Sequence, residues 1–244
     1  MNQMKTRLIG MSFLQFAVWG AYLISMGTYL FSAGMGDKIG YFYAMQGVVA
    51  LFMPALMGMV ADRWIPAQKL LAGCHALSAL FKASMGYVAM NAIASPAEEY
   101  PLLLTLYALS VAFYMPTLAL SNSVSYTALE RVKLNPVESF PSIRLFGTVG
   151  FICAMIATDV LGFQGSYMQF FLSALLGVIA SVYAYTLPSC PVNKRQQGKK
   201  WMQKVSEACE SEMSTLACFT PKVSAYSGML AKLFRNGLAN PLVI

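Results

Sequence analysis

The chain has 244 residues, of which 57% are hydrophobic and only 11% are charged, and its formal net charge is +7. This composition excludes an ordinary soluble globular domain and is typical of a membrane protein. The positive charge does not indicate nucleic-acid binding, because the basic residues follow neither an amphipathic face nor a nucleic-acid motif. The first hydrophobic run is too long for a secretory signal peptide, so we expect it to remain as a membrane span.

Six segments of the sequence are apolar over the ~20 residues that a helix needs to cross a bilayer. Short charged or proline-containing stretches bound them, including Asp37-Lys38, Asp62-Arg63 and Pro188. Lys82 interrupts the third segment, where we expect it either to reach the headgroups or to meet a group outside this chain. The predicted spans are about 8–36, 39–61, 70–94, 101–129, 141–163 and 167–187. The sequence therefore predicts an all-α membrane protein with a six-helix bundle over residues 1–188.

Lysine and arginine residues lie almost entirely on one side of these predicted spans. With the N-terminus in the cytoplasm, the outer loops contain only Lys38. Because basic residues favour the cytoplasmic side, both termini are expected there. The basic residues of the inner segments are Lys5, Arg7, Arg63, Lys69, Arg131, Lys133, Lys194, Arg195, Lys199 and Lys200.

Residues 189–244 are polar and basic, and they are expected to form a cytoplasmic segment after the sixth span. Apolar residues at helical spacing between Met202 and Leu216 indicate an amphipathic helix at the membrane face, and a disordered tail is the alternative. A new apolar run begins just before Ile244. We therefore expect the sequence to be truncated at the start of a seventh span.

The sequence contains no pattern that predicts a metal site or an enzyme. Adjacent Cys74 and His75 point to different faces of a helix and have no third ligand at helical spacing. The five cysteines, which are Cys74, Cys153, Cys190, Cys209 and Cys218, show no C-x-x-C spacing and are expected to be free thiols. We also find no nucleophile motif, phosphate-binding loop or pair of intramembrane carboxylates.

Arg144 lies inside the fifth predicted span, about one turn from its cytoplasmic end. A helix over this region places Phe140, Arg144, Gly147, Thr148 and Phe151 on one face. An ionisable residue inside a membrane helix marks a functional site unless it extends to the headgroups, because burying it unpaired costs at least ~2.5 kcal/mol. Position alone leaves both interpretations of Arg144 open.

Several separated blocks of the sequence carry a resemblance to a known family. The segment from Gly58 through Asp62-Arg63 to Lys69 resembles the G-x-x-x-D-R/K signature of the major facilitator superfamily, without its usual Gly-Arg-Arg ending. Residues 13–20, 52–58, 114–118 with Ser125-Tyr126, and 140–151 resemble, in this order, bacterial nucleoside:proton symporters. The resemblance covers about residues 5–192 and corresponds to the N-terminal half of a twelve-helix carrier.

The resemblance implies roles for particular residues. In this family the arginine and threonine of the F-P-x-I-R-x-x-G-T motif contact the nucleoside, which implies that role for Arg144 and Thr148, with Phe151 as an aromatic neighbour. Helices 1 and 4 are expected to line the cavity, with Gln15 and Asn122 as candidate substrate-binding residues, whereas the serines near Asn122 are expected to pack between helices. The resemblance implies a conformational role for the motif residues Gly58, Asp62 and Arg63.

The expected function is proton-coupled nucleoside uptake across the bacterial cytoplasmic membrane, driven by the proton gradient without a cofactor. The alternatives are a major facilitator carrier for another polar solute, such as a sugar, and a non-transporting six-helix membrane protein. The expected partners are the nucleoside, the lipid bilayer and a missing C-terminal half or a second six-helix bundle, and no nucleic acid. Because the six spans contain no carboxylate away from their ends, the proton-coupling group is expected in that second half.

Overall fold

The computed structural model describes residues 2–92 and 98–188, and its regular secondary structure in these ranges is helical. These ranges contain six helical segments, which confirms the predicted all-α fold. Two consecutive helices, α1 and α2, share the first segment, and each later segment is a single helix. The helices are α1 (Asn2–Gly20), α2 (Ser25–Ser32), α3 (Ile39–Arg63), α4 (Ala67–Asn91), α5 (Tyr100–Arg131), α6 (Pro136–Val160) and α7 (Met168–Tyr185).

The first span is interrupted at residues 21–24, whereas the sequence predicted one unbroken helix from about residue 8 to residue 36. At the interruption the Tyr22 N–H bonds to the Trp19 carbonyl at 3.3 Å, a tighter turn than that of an α-helix. The Leu23 carbonyl accepts a hydrogen bond from the Tyr43 hydroxyl on α3 at 2.8 Å. Hydroxyl groups of neighbouring helices thus satisfy backbone groups that the broken helix leaves free in the membrane.

Local sequence accounts for the start of α6 and for contacts in the turn before α3. The Asn135 side chain accepts a hydrogen bond from the Val137 N–H at 3.1 Å, and Pro136 occupies the first position of α6. Between the first span and α3, Asp37 and Lys38 form an ion pair of 2.9 Å. The hydrogen bond from Lys38 lowers the pKa of Asp37, and the same contact raises the pKa of Lys38.

Five of the six segments are long and apolar enough to cross a membrane by composition alone, and α4 is the exception. The polar side chains of α4 face the interior of the bundle, where Gln68, His75, Ser78 and Lys82 are all buried. Because these groups contact other helices rather than lipid, α4 tolerates a lower hydropathy than its neighbours.

The helix α1 lies at the centre of the bundle, where it packs against α5, α6 and α7. A Cβ atom added to Gly150 would overlap the Phe13 carbonyl oxygen, and one added to Gly20 would overlap the backbone of Phe151. These two glycines therefore allow the backbones of α1 and α6 to approach closely. On the other side, α4 packs between α5 and α7, and α3 packs against α5.

The sequence-based expectations for residues 189–244 lie outside the described residues. These are the cytoplasmic segment, the amphipathic helix and the beginning of a seventh span.

Candidate functional site

The guanidinium of Arg144 lies over an aromatic ring of the neighbouring helix. Gly147, one turn further along α6, is buried against Ser12 and Phe16 of α1, and an added Cβ would come within 2.8 Å of the Ser12 hydroxyl oxygen. This close approach places the guanidinium carbon of Arg144 at 4.2 Å from the centre of the Phe16 ring. The Arg144 side chain is exposed. A cation over an aromatic face at this distance is favourable, and a guanidinium has five N–H donors for other partners.

Thr148 and Phe151 follow Arg144 along the same side of α6. Thr148 is uncovered, one turn beyond Arg144. The half-buried Phe151 ring contacts Trp19 of α1 edge to face, with 6.2 Å between ring centres. The structure thus brings the three residues that the motif implicated to one open face. We call this surface, formed by Arg144, Thr148 and Phe151, the open face of α6.

A group of aromatic rings lies behind the open face. Trp19 is 6.3 Å from Phe16 and 6.2 Å from Tyr114 on α5, measured between ring centres. We call Phe16, Trp19, Tyr114 and Phe151 the aromatic wall. Its rings come from α1, α5 and α6, so the position of the open face depends on how these helices pack.

Two of the five residues that were predicted to share one face of α6 have other surroundings. Gly147 is buried at the contact with α1. Phe140 stacks on Tyr126 of α5, with 4.6 Å between ring centres. The predicted face of α6 therefore consists of residues that pack against other helices and residues of the open face.

Gln15, a candidate substrate-binding residue, lies in the interior of the bundle behind the aromatic wall, and its role in binding stays a prediction. Its side chain is 1% exposed. Its amide nitrogen donates to the Thr117 hydroxyl at 2.6 Å, and its amide oxygen is 2.8 Å from Nε2 of His75. Because both ends of the amide have partners on α4 and α5, Gln15 connects helices in this structure.

Asn122 is half-buried on α5. The nearby Ser121 and Ser125 are buried, and the Ser125 hydroxyl donates to the Ser121 carbonyl at 2.8 Å. The serines therefore have the surroundings expected of packing residues. A role for Asn122 in substrate binding stays a prediction.

Gly58, Asp62 and Arg63 occupy the last turns of α3. A Cβ added to Gly58 would meet no heavy atom within 4 Å in the described part of the chain. Asp62 and Arg63 are both exposed. Their conformational role stays a prediction.

Lys82 is the feature that sequence reasoning placed wrongly. It neither reaches the headgroups nor extends outside the chain, since its side chain is 2% exposed within the bundle. Its ammonium nitrogen lies 4.7 Å from the centre of the Tyr22 ring and 4.6 Å from that of Tyr114. In the sequence, only the charge in the middle of a span marks Lys82, because its two aromatic partners lie far from it along the chain.

In residues 2–92 and 98–188 there is no group of three or more His, Cys, Asp or Glu side chains that could hold a metal ion. Cys74 is a buried free thiol, and Cys153 is an exposed one. The polar groups of the open face are instead an arginine and a threonine beside aromatic rings. Such groups bind a polar organic molecule by hydrogen bonds and stacking.

Solved structures show the same arrangement of helices. The chain superposes on a crystal structure of the nucleoside transporter NupG, a D323A mutant, with a TM-score of 0.74 and 36% sequence identity. The superposition covers 82% of this chain and 48% of that one. A second crystal structure of NupG gives a TM-score of 0.72 at 37% identity. The fold is therefore the N-terminal six-helix half of a major facilitator superfamily transporter.

The family model described as nucleoside H+ symporter matches residues 1–209. The chain belongs to this family. It is 38% identical over 200 residues to the nucleoside permease NupG of Escherichia coli, and 38% identical over 194 residues to the xanthosine permease of the same bacterium. These matches cover 81% and 78% of this chain but 46% and 44% of the relatives. The chain thus spans about half the length of the curated relatives it matches.

Proposed function

We propose that this chain forms the N-terminal half of a proton-coupled nucleoside carrier of the bacterial cytoplasmic membrane, with its N-terminus facing the cytoplasm. The observation that carries the proposal is the open face of α6, where Arg144 lies over Phe16 beside Thr148 and Phe151. Membership of the nucleoside H+ symporter family supports the same conclusion. The carrier moves its substrate without changing it chemically.

The chemistry of the open face fits a nucleoside. A guanidinium offers five N–H donors in a rigid plane, and the hydroxyls of a ribose and the ring nitrogens and carbonyls of a base are acceptors. Thr148 adds one hydroxyl that both donates and accepts. The rings of Phe151 and Trp19 provide apolar surface against which a planar base can pack. Arg144, Thr148 and Phe151 are therefore the proposed substrate-contacting residues.

Transport requires a second six-helix unit opposite the open face. Carriers of this kind alternate access by rocking one unit against the other around a site near the middle of the membrane. Arg144 and Thr148 are uncovered in the present unit, so a second unit would close the site and separate them from lipid. Among the described residues no carboxylate is buried. We place a carboxylate that takes up the coupling proton in the second unit.

A chimera tests this proposal. Residues 1–188 would replace the aligned half of the E. coli nucleoside permease NupG, in cells that lack their own nucleoside carriers. We expect uptake of radiolabelled uridine that adenosine inhibits, glucose does not, and a protonophore abolishes. Inhibition by a sugar but not by nucleosides would favour a carrier for another polar solute. Uptake that persists with the protonophore would contradict proton coupling.

A further inference from the structure

Lys82 of α4 has surroundings that the proposed transport site does not explain. Its ammonium lies between the ring of Tyr22, in the break between α1 and α2, and the ring of Tyr114 on α5, at 4.7 Å and 4.6 Å from their centres. The Ser78 hydroxyl, one turn earlier on α4, accepts a hydrogen bond from the ammonium at 3.3 Å. This lysine is therefore enclosed by α4, α5 and the broken first span, with aromatic faces on two sides.

No anion balances this cation among the described residues. The titratable groups that face it are Tyr22 of the broken first span, Tyr114 on α5 and His75 on α4 itself. Arg144 of α6 is a second positive charge, close enough to interact with Tyr114. On α7, which also packs against α4, the titratable side chains are Tyr183 and Tyr185, near the end of the helix where Ser181 bonds to the Ala72 carbonyl.

The surroundings of Lys82 suit both the charged and the neutral amine. Two aromatic faces stabilise the ammonium. Loss of the proton removes the cost of an unpaired charge inside the membrane, and a neutral amine can still donate to Ser78. The Tyr22 hydroxyl and Nδ1 of His75 are buried without a hydrogen-bond partner among the described residues. The polar groups of Tyr22, His75 and Ser78 can thus accommodate either protonation state of Lys82.

One of the residues around Lys82, Tyr114, belongs to the aromatic wall. The Tyr114 ring, which carries Lys82 on one face, is 6.2 Å from Trp19 between ring centres. Its hydroxyl donates to the Gln15 carbonyl of α1 at 2.6 Å. Trp19 in turn contacts Phe151 of the open face. A change of charge at Lys82 therefore acts on a ring that supports the proposed substrate site.

We propose that Lys82 is a proton-binding site inside the six-helix unit, and that its protonation changes the position of the aromatic wall through Tyr114. On release, the Nζ–H bond breaks, the proton passes to a water molecule that reaches the amine, and the electron pair stays on Nζ. On uptake the same step runs in reverse. The consequence for transport rests on the proposed function, whereas protonation of Lys82 does not.

Nuclear magnetic resonance of the whole chain in lipid nanodiscs tests the protonation itself. With lysine side chains labelled with ¹⁵N, the signal that is absent from Lys82→Met belongs to Lys82. We expect that signal in the wild-type chain to show a one-proton transition within roughly pH 5 to 9, the range in which buried lysines can titrate. The signal of Lys38, whose pKa is raised by its contact with Asp37, should not change over the same range. A Lys82 signal that stays constant throughout would overturn the proposal.

The fluorescence of Trp19 tests the link to the aromatic wall. In a background with Trp64→Phe and Trp201→Phe, we expect the emission of Trp19 to shift with the same midpoint as the Lys82 signal. The shift should disappear in Lys82→Arg, which keeps the acid-form spectrum, and in Lys82→Met, which keeps the alkaline-form spectrum. His75→Gln is the matched control and should retain the shift. A shift that survives in both Lys82 variants and disappears in His75→Gln would assign the proton to His75 and overturn the proposal. Neither experiment measures transport, so a negative result would contradict the proposal for Lys82 without contradicting the proposed function.

Discussion

The guanidinium carbon of Arg144 on α6 lies 4.2 Å from the centre of the Phe16 ring on α1. The contact holds the cation against an aromatic ring of the neighbouring helix, and the Arg144 side chain is exposed. A planar guanidinium can form several hydrogen bonds from this position, whereas a lysine ammonium in the same place is a single point charge.

We therefore expect Arg144→Lys, in the chimera described above, to reduce nucleoside uptake by about 10- to 100-fold. Losing one charge-assisted hydrogen bond costs about 1.5–3 kcal/mol, and each 1.4 kcal/mol is tenfold in affinity. Initial rates of uridine uptake at equal amounts of protein in the membrane provide the measurement. Arg131→Lys, at the exposed end of α5, is the matched control and should keep normal uptake. Normal uptake by Arg144→Lys would show that the residue needs only its charge.

The close approach of α1 and α6 predicts that Gly150→Ala destabilises the bundle. The new methyl group would overlap the Phe13 carbonyl oxygen, and overpacking of this kind costs about 1–3 kcal/mol. The midpoint of thermal unfolding in detergent should fall. Gly47→Ala is the control, because a Cβ there meets no atom within 4 Å, and its midpoint should stay equal or rise. Equal midpoints for Gly150→Ala and the wild type would contradict the observed helix packing.

The buried hydrogen bonds of Gln15 predict a cost for removing its amide. Gln15→Met keeps a similar volume but leaves the Thr117 hydroxyl and the His75 ring without their partner. An unsatisfied buried polar group costs about 1–3 kcal/mol, so the unfolding midpoint should fall. Gln3→Met, at an exposed position of α1, should leave the midpoint unchanged. A structural role would be excluded if the two variants unfolded at the same temperature.

Membrane topology can be tested with introduced cysteines in a background without the native ones. The 32-residue α5 places Glu98 and Asn135 at opposite ends, about 48 Å apart for an ideal helix, and α6 returns the chain towards the end where Gly165 lies. With a cytoplasmic N-terminus, an impermeant thiol reagent applied to intact cells should label Glu98→Cys and Gly165→Cys. It should not label Asn135→Cys. The opposite pattern would reverse the orientation inferred from the basic residues.

The 244-residue chain by itself is expected not to transport. One six-helix unit supplies one wall of the site and has no partner against which to rock. The purified chain in proteoliposomes, with an inward proton gradient, should show no saturable uptake of radiolabelled uridine. Full-length NupG reconstituted in parallel is the positive control. Saturable, gradient-dependent uptake by the chain would show that one unit, or a pair of identical units, is sufficient.

Hydropathy predicted the helical segments because the bilayer requires long apolar runs, and charge placement predicted their connections. The break at residues 21–24 was not predictable, since Ala21 to Ile24 include neither glycine nor proline. Its carbonyl groups bond to hydroxyls of other helices, such as those of Tyr43 on α3 and Thr158 on α6. A local pattern contains no information about such distant partners.

The same reason explains which surroundings of the candidate residues could be predicted from the sequence. Helical spacing along α6 was enough to put Arg144 and Thr148 on one face, because both belong to a single helix. The surroundings of Gln15 depend on Thr117, which is 102 residues away in the sequence, and those of Lys82 depend on Tyr22 and Tyr114. One sequence does not determine which residues of different helices meet.

The broken first span has a consequence for how the protein is made. The turn at Tyr22 directs its N–H to Trp19, and the Val18 carbonyl accepts a hydrogen bond from Ser173, which is 155 residues later in the chain. The Ala21 carbonyl similarly bonds to Thr158. During synthesis, α1 is made well before α6 and α7. Until then these carbonyl groups need other hydrogen-bond partners, from the translocation machinery, from water or from a transient continuous helix. The hydrogen bonds of the first span are therefore complete only after α7 has been inserted.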